Sequence, residues 1–171
     1  VVQYASDADF EAAKLLADAR DYKLIQSGSR TSFGDARKWI LVGGSDANSI
    51  YDIYFGAALQ VTDSGYRRVK RTSSTYNGIP RSIWGVASYG ELDTIKSAEW
   101  VAQNGLPSNE VKQAWVVVQY SGDGDASIAN NLAQNFGWDL TKTSSRSNLT
   151  GYDGWVLVGG QSANPVFRDV F

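Results

Sequence analysis

Leu41-Val42-Gly43-Gly44-Ser45-Asp46-Ala47-Asn48 returns 116 residues later as Leu157-Val158-Gly159-Gly160-Gln161-Ser162-Ala163-Asn164. Extended outward at the same offset, residues 1–55 align without a gap on residues 117–171, and 20 of the 55 pairs are identical. They include Val1-Val2-Gln3-Tyr4 with Val117-Val118-Gln119-Tyr120, Asp7 and Asp9 with Asp123 and Asp125, Ser29-Arg30 with Ser145-Arg146, and Trp39 with Trp155. Chance does not give this agreement over an ungapped stretch of that length, so the chain is organised by an internal repeat.

Each copy reads as strand, turn, helix, short strand, turn, strand. Residues 115–120 are apolar and β-branched, as a strand buried on both faces is. Ile128, Ala129, Leu132, Ala133 and Phe136 then recur on one helical face, and Gly137 marks the stop. In the first copy the same face is Ala12, Ala13, Leu16 and Ala17, followed by a short strand at 23–26. The strands at 39–42 and 155–158 end in Gly-Gly, which breaks a strand and allows close backbone approach. The expectation is an α/β fold: a βαβ-type, mostly parallel sheet with helices on both faces, the two copies lying in one continuous sheet.

Residues 56–116 join the copies within a single module covering 1–171. In this central segment 57–61 and 66–71 read as strands of an inserted β-hairpin around Asp63-Ser64-Gly65, and Asn77-Gly78-Ile79-Pro80 is a further turn. A buried strand at 83–87 and a helix from Asp93 or Thr94 to Gln103 follow, closed by Asn104-Gly105 and Pro107.

Composition narrows the chemistry. With 43% hydrophobic and 20% charged residues the chain has the makeup of a folded domain. Its net charge of −2 offers no field for a polyanion, so nucleic acid is not an expected partner. No stretch is long and apolar enough to span a bilayer, and Val1 opens directly in a strand pattern rather than a signal peptide. Cys and His are both absent, which removes thiolate nucleophiles, disulfides, the commonest general base and the commonest metal ligand. No metal, cofactor or catalytic residue is assigned.

Four features carry candidate chemistry. The turn glycines Gly43, Gly44, Gly159 and Gly160 follow strands, but they lack the spacing of a dinucleotide fingerprint or a P-loop, which leaves them as structural turns. Asp7/Asp9 and Asp123/Asp125 stand immediately before helices, where carboxylates accept from free N–H groups; capping is the expectation, with cation binding or acid–base work as the alternative. Arg30 and Arg146 lie in Ser/Asn-rich loops, where a guanidinium fork could meet carboxylate or phosphate. Tyr89 is among the aromatic residues near loops that could stack on a sugar ring.

The strand ending in Val-Gly-Gly, together with Gly90-Glu91-Leu92-Asp93-Thr94 opening a helix, resembles the cell-wall-binding repeat type 2 family, whose modules occur in wall amidases and phage endolysins. The blocks at 42–48 and 158–165, ending in Ala47-Asn48 and Ala163-Asn164-Pro165, are also similar to the Gly-Gly-Pro-x-Ala-Asn-Pro pattern of archaeal S-layer proteins. These resemblances imply a non-catalytic module, extracellular or associated with the cell wall, whose partner is a wall polymer or surface glycan. They imply a ligand-binding role for Asn48, Asn164, Asp93 and Thr94 beside Arg30, Arg146 and Tyr89. The S-layer likeness implies instead a structural surface protein that forms a homo-oligomer. A hydrolase that works with carboxylates alone is the third reading, since two acids suffice for glycoside hydrolysis.

Overall fold

A computed structural model describes residues 1–56 and 65–171. The chain is α/β, with one mostly parallel sheet, one parallel sheet and five α-helices among the described residues. It divides into two compact units, Val1–Gln113 and Ala114–Phe171.

In unit 1 the strands are β1 (Val2–Tyr4), β2 (Leu24–Gln26), β3 (Lys38–Val42), β4 (Tyr66–Tyr76), β5 (Ile79–Val86) and β6 (Val111–Ala114), the last running into the first residue of unit 2. The sheet order is β2-β1-β3-β5-β4-β6. Strands β2, β1, β3 and β5 are parallel neighbours, with Val2 opposite Leu24 and Ile40, and Leu41 opposite Gly85. Strand β4 runs antiparallel to β5 around Asn77-Gly78, both at positive φ, the conformation a tight hairpin demands. The inserted hairpin is therefore built from 66–76 and 79–86; the strand expected at 57–61 lies outside the described residues, as do Asp63 and Ser64 of its turn.

The helices of this unit are α1 (Phe10–Arg20), α2 (Ser49–Phe55) and α3 (Glu91–Asn104). Ala12, Ala13, Leu16 and Ala17 of α1 and Ala98 and Val101 of α3 bury one sheet face with Val2, Ile40, Val42 and Val86. Ile50 and Tyr51 of α2 cover the other, with Phe33, Trp39, Leu41 and Ile83. Alternation along β3 sends Ile40 and Val42 to one layer and Trp39 and Leu41 to the other.

Unit 2 carries β7 (Val116–Tyr120), α4 (Ala126–Phe136), β8 (Asp139–Lys142), β9 (Gly154–Leu157) and α5 (Pro165–Val170). Its sheet is parallel, in the order β8-β7-β9. The expected single sheet is thus corrected to two, of six and three strands. The local order of the repeat is kept in each unit: β1-α1-β2-β3-α2 corresponds to β7-α4-β8-β9-α5. The short last helix of each copy had no strong periodicity to announce it. Asn48 and Asn164 start these helices as N-caps, each accepting from two successive backbone N–H groups.

Candidate functional site

Strand β1 has β2 on one side and β3 on the other, so the connections that leave them diverge to opposite faces of the sheet. A crevice opens at the carboxyl ends of parallel strands where this happens. Here three loops meet beyond β1, β3 and β5, and they enclose a cavity of about 210 Å³ lined by Asp9, Ser45, Asp46, Tyr89, Glu91 and Thr94, together with Ala8, Gly44, Ala47, Ser88 and Gly90. Three of these side chains are carboxylates and none is cationic.

Asp9 is the buried member, 7% exposed. The expectation that it caps α1 is corrected: its side chain bonds no helix N–H, and the preceding turn is capped by Ser6, whose Oγ accepts from the Ala8 N–H at 3.3 Å. Asp125 likewise makes no side-chain cap. Asp7 and Asp123 serve instead as acceptors for β2 and β8, Asp7 from Gln26 Nε2 at 2.8 Å and Asp123 from Lys142 Nζ at 2.6 Å. Aligned positions thus hold aligned tethers with different donors.

The room that the Asp9 carboxylate occupies is left by Gly43. At φ +94°, a Cβ on Gly43 would collide with the Asp9 carboxylate. In the second copy a Cβ on Gly159, at φ +106°, would come within 2.5 Å of Asp125 Oδ2. The glycine of the Val-Gly-Gly turn is therefore a seat for the aspartate at the head of the first helix, and it is the shape of the repeat that places the acid there. Burial, reinforced by the nearby charge of Glu91, pushes the Asp9 pKa up to about 6. Among the described residues Asp9 Oδ2 and Ser45 Oγ are buried polar atoms with no hydrogen-bond partner, and both residues line the cavity. Buried polar atoms are almost always paired, so two orphans on residues in the wall of one cavity single that wall out, although Asp9 Oδ2 itself is packed against Gly43.

The other sequence-stated candidates fall into distinct places. Tyr89 lines the cavity and is 47% exposed, with its ring free for stacking. Thr94 lines it too, but its Oγ1 accepts from the Ser88 N–H at 3.1 Å and so holds the loop. Asp93 is buried, with Oδ2 accepting from the Gly65 N–H at 2.8 Å. A ligand role for Asn48 and Asn164 is corrected. Both are fully buried, and their amide groups are spent on the helix N–H groups, on a strand carbonyl and on Gln3 or Gln119.

Neither Arg30 nor Arg146 is among the residues that line the cavity. The Arg30 guanidinium sits 4.8 Å from the Tyr76 ring centre and donates to Tyr54 Oη at 3.4 Å; that of Arg146 sits 5.4 Å from the Trp155 ring. Gly44 lines the cavity, whereas Gly160 faces open space. Sequence reading missed Ser45, Asp46 and Glu91, and it gave Asp9 a different role. A signal for the last was present: Asp9 precedes Gly43 by the same interval as Asp125 precedes Gly159.

Among the described residues no group of three or more His, Cys, Asp or Glu side chains converges as a metal site would require. No helix of the described residues is long and apolar enough to cross a membrane. Comparison of the chain with family models, with curated proteins and with solved structures returned no match.

Proposed function

We propose that this chain is a non-catalytic binding module of the cell wall or cell surface, and that unit 1 takes an amine-bearing sugar of a surface glycan into the crevice beyond β1, β3 and β5. The observation that carries this reading is the cavity itself, lined by the carboxylates of Asp9, Asp46 and Glu91 with Ser45 and Tyr89 beside them and with no lining cation. Carboxylates of Asp9, Asp46 and Glu91 accept from ammonium and hydroxyl groups, and no lining cation competes for them. Tyr89 adds an aromatic face of the kind that packs on the apolar side of a sugar ring. A strongly anionic polymer is a poor fit to this charge. The surface location rests on the Val-Gly-Gly and Ala-Asn resemblances of the repeat.

Pull-down on purified wall sacculi, beside acid-extracted sacculi and sacculi whose amines have been acetylated, tests this. Binding that falls on acetylation and in Asp9→Asn supports the proposal; binding indifferent to both removes the crevice from the site.

A second reading is favoured by one observation. A carboxyl group held near pH 6 beside a second carboxylate, Glu91, is the arrangement of a general acid with a partner base. It makes the chain a carboxylate-dependent hydrolase. Release of reducing ends from the same sacculi, lost in both Asp9→Asn and Glu91→Gln, would select this reading over simple binding.

A further inference from the structure

The two copies differ in what lies beside their last strand. In unit 1, β3 is flanked by β1 and by β5, and Trp39, Ile40 and Leu41 are fully buried. In unit 2, β9 is the edge of its sheet, and the aligned Trp155, Val156 and Leu157 are only half-buried. Exposed apolar strand edges are liabilities that proteins ordinarily cover.

The seat for a further strand is nevertheless formed. In unit 1, β5 passes over Tyr51 and Phe55 of α2, whose ring centres are 4.9 Å apart with planes at 45°. A glycine is required there: a Cβ on Gly85, the partner of Leu41, would come within 2.5 Å of Tyr51 and 2.7 Å of Phe55. Unit 2 repeats the receiving half of this arrangement. Phe167 and Phe171 align with Tyr51 and Phe55, and their rings stand 5.0 Å apart at 41°, with Phe171 77% exposed.

The backbone is set in the same way. Gly154 and Val158 donate N–H groups to Trp115 O at 3.1 Å and Gln119 O at 2.8 Å on β7. Alternate residues of a parallel strand donate to opposite sides, so the N–H groups of Trp155, Leu157 and Gly159 face the edge. In unit 1 the N–H aligned with that of Gly159 is Gly43 N–H, which donates to Val86 O of β5 at 3.1 Å.

We infer that the β9 edge of unit 2 is a docking site for a polypeptide strand that runs parallel to it, with a glycine opposite Leu157 and large β-forming residues on either side. The occupant has the pattern of Ile83-Trp84-Gly85-Val86, the segment that fills the equivalent place in unit 1. Main-chain bonds to an exposed edge supply affinity, and the glycine over the aromatic pair supplies selectivity. The inference stands independently of the crevice in unit 1.

The test is a chain in which residues 56–104 are repeated after Phe171, so that the same linker that joins α2 to β4 in unit 1 tethers a second hairpin, strand and helix to α5. Tethering makes the event intramolecular and removes the need for a tight-binding free peptide. Amide hydrogen exchange of Trp155, Leu157 and Gly159 should slow on the order of tenfold or more relative to the parent chain. Gly85→Val in the appended copy should abolish the slowing. So should Phe171→Ala, which removes an exposed ring and leaves the rest of unit 2 intact. Parent-like exchange at the three amides in the glycine version, or equal slowing in the valine version, would overturn the inference.

Discussion

Asn48 and Gln3 exchange hydrogen bonds inside unit 1: Asn48 Nδ2 donates to Gln3 Oε1 at 2.8 Å, and Gln3 Nε2 donates to Asn48 Oδ1 at 3.3 Å. Neither side chain is exposed, and Asn164 and Gln119 repeat the pairing in unit 2 at 2.7 and 3.2 Å. The pair ties the first strand of each copy to the start of its last helix, through the turn that the two glycines shape. Asn48→Ala removes a cap and leaves a buried glutamine amide short of partners. The expected loss is about 2–4 kcal/mol, summing a cap and an orphaned polar group, read as a lower urea midpoint. Because the amides act together, Gln3→Ala combined with Asn48→Ala should cost clearly less than the sum of the two single changes.

Asp9 sets a pH dependence whose sign is opposite to that of a salt-bridged carboxylate. Its folded pKa of about 6 lies above its ordinary 3.8, so between those values the folded protein holds a proton that the unfolded chain has released. This contribution therefore makes stability fall as pH rises from about 4 to beyond 6. Glu91, Asp46 and Tyr89 face the same space, and only Glu91 adds appreciably to the burial effect. Asp9→Asn should stabilise the chain at pH 7.5 by up to about 3 kcal/mol, taking 1.36 kcal/mol per pKa unit, and should be nearly neutral at pH 4. Chemical unfolding at the two pH values checks it. An equal effect at both would place the carboxylate in water.

Gly43→Ala should be among the most damaging small substitutions. The methyl group meets the Asp9 carboxylate, and the backbone stands at φ +94°. The expected cost is about 1–3 kcal/mol from backbone strain alone, with a further loss from the clash. Asp9→Gly in the same chain should relieve the clash but not the strain, so thermal melting of the double variant should fall between the parent and Gly43→Ala.

The proposed ligand site makes a prediction that separates the crevice from the loop arginines. Arg30→Ala with Arg146→Ala removes two ring contacts worth about 0.5–1 kcal/mol each, and should leave sacculus binding unchanged. Tyr89→Ala should weaken binding without changing the melting temperature, since its ring is not part of the core. For an ammonium ligand the affinity should decline as pH falls through about 6, when Asp9 takes up its proton, and added salt should weaken the contacts of the exposed Asp46 and Glu91. Binding lost in the arginine double variant at unchanged stability would move the site to those loops.

The repeat, the α/β class and most of the strands could be read directly, because burial on both faces forces apolar runs and α1 and α4 show a 3.6-residue period. Gly43 stood out as a turn glycine and Asp9 as a helix-start acid, each correctly located, but Asp9 was paired with helix N–H groups and Gly43 with nothing. Residues 34 positions apart become neighbours only when β1 and β3 lie side by side, and no local rule reports that. Asn48 and Asn164 were singled out as surface ligands because an Ala-Asn block after Gly-Gly resembles a surface-protein motif. They are interior caps because the turn folds back and points the amide at Gln3 or Gln119.

By itself the sequence determined the duplication, the parallel α/β layering, and the absence of thiol and imidazole chemistry, all of which follow from residue identity and spacing along the chain. Tertiary structure alone decided that the central hairpin completes the sheet of the first copy and leaves β9 of the second at an edge. It also decided that Asp9, Ser45 and Glu91, from three separate segments, line one cavity. The physical reason is common to both. Strand order and convergence of loops depend on which apolar faces bury one another, a long-range choice among pairings that look equivalent along the chain, whereas periodicity and turn chemistry are set within a few residues.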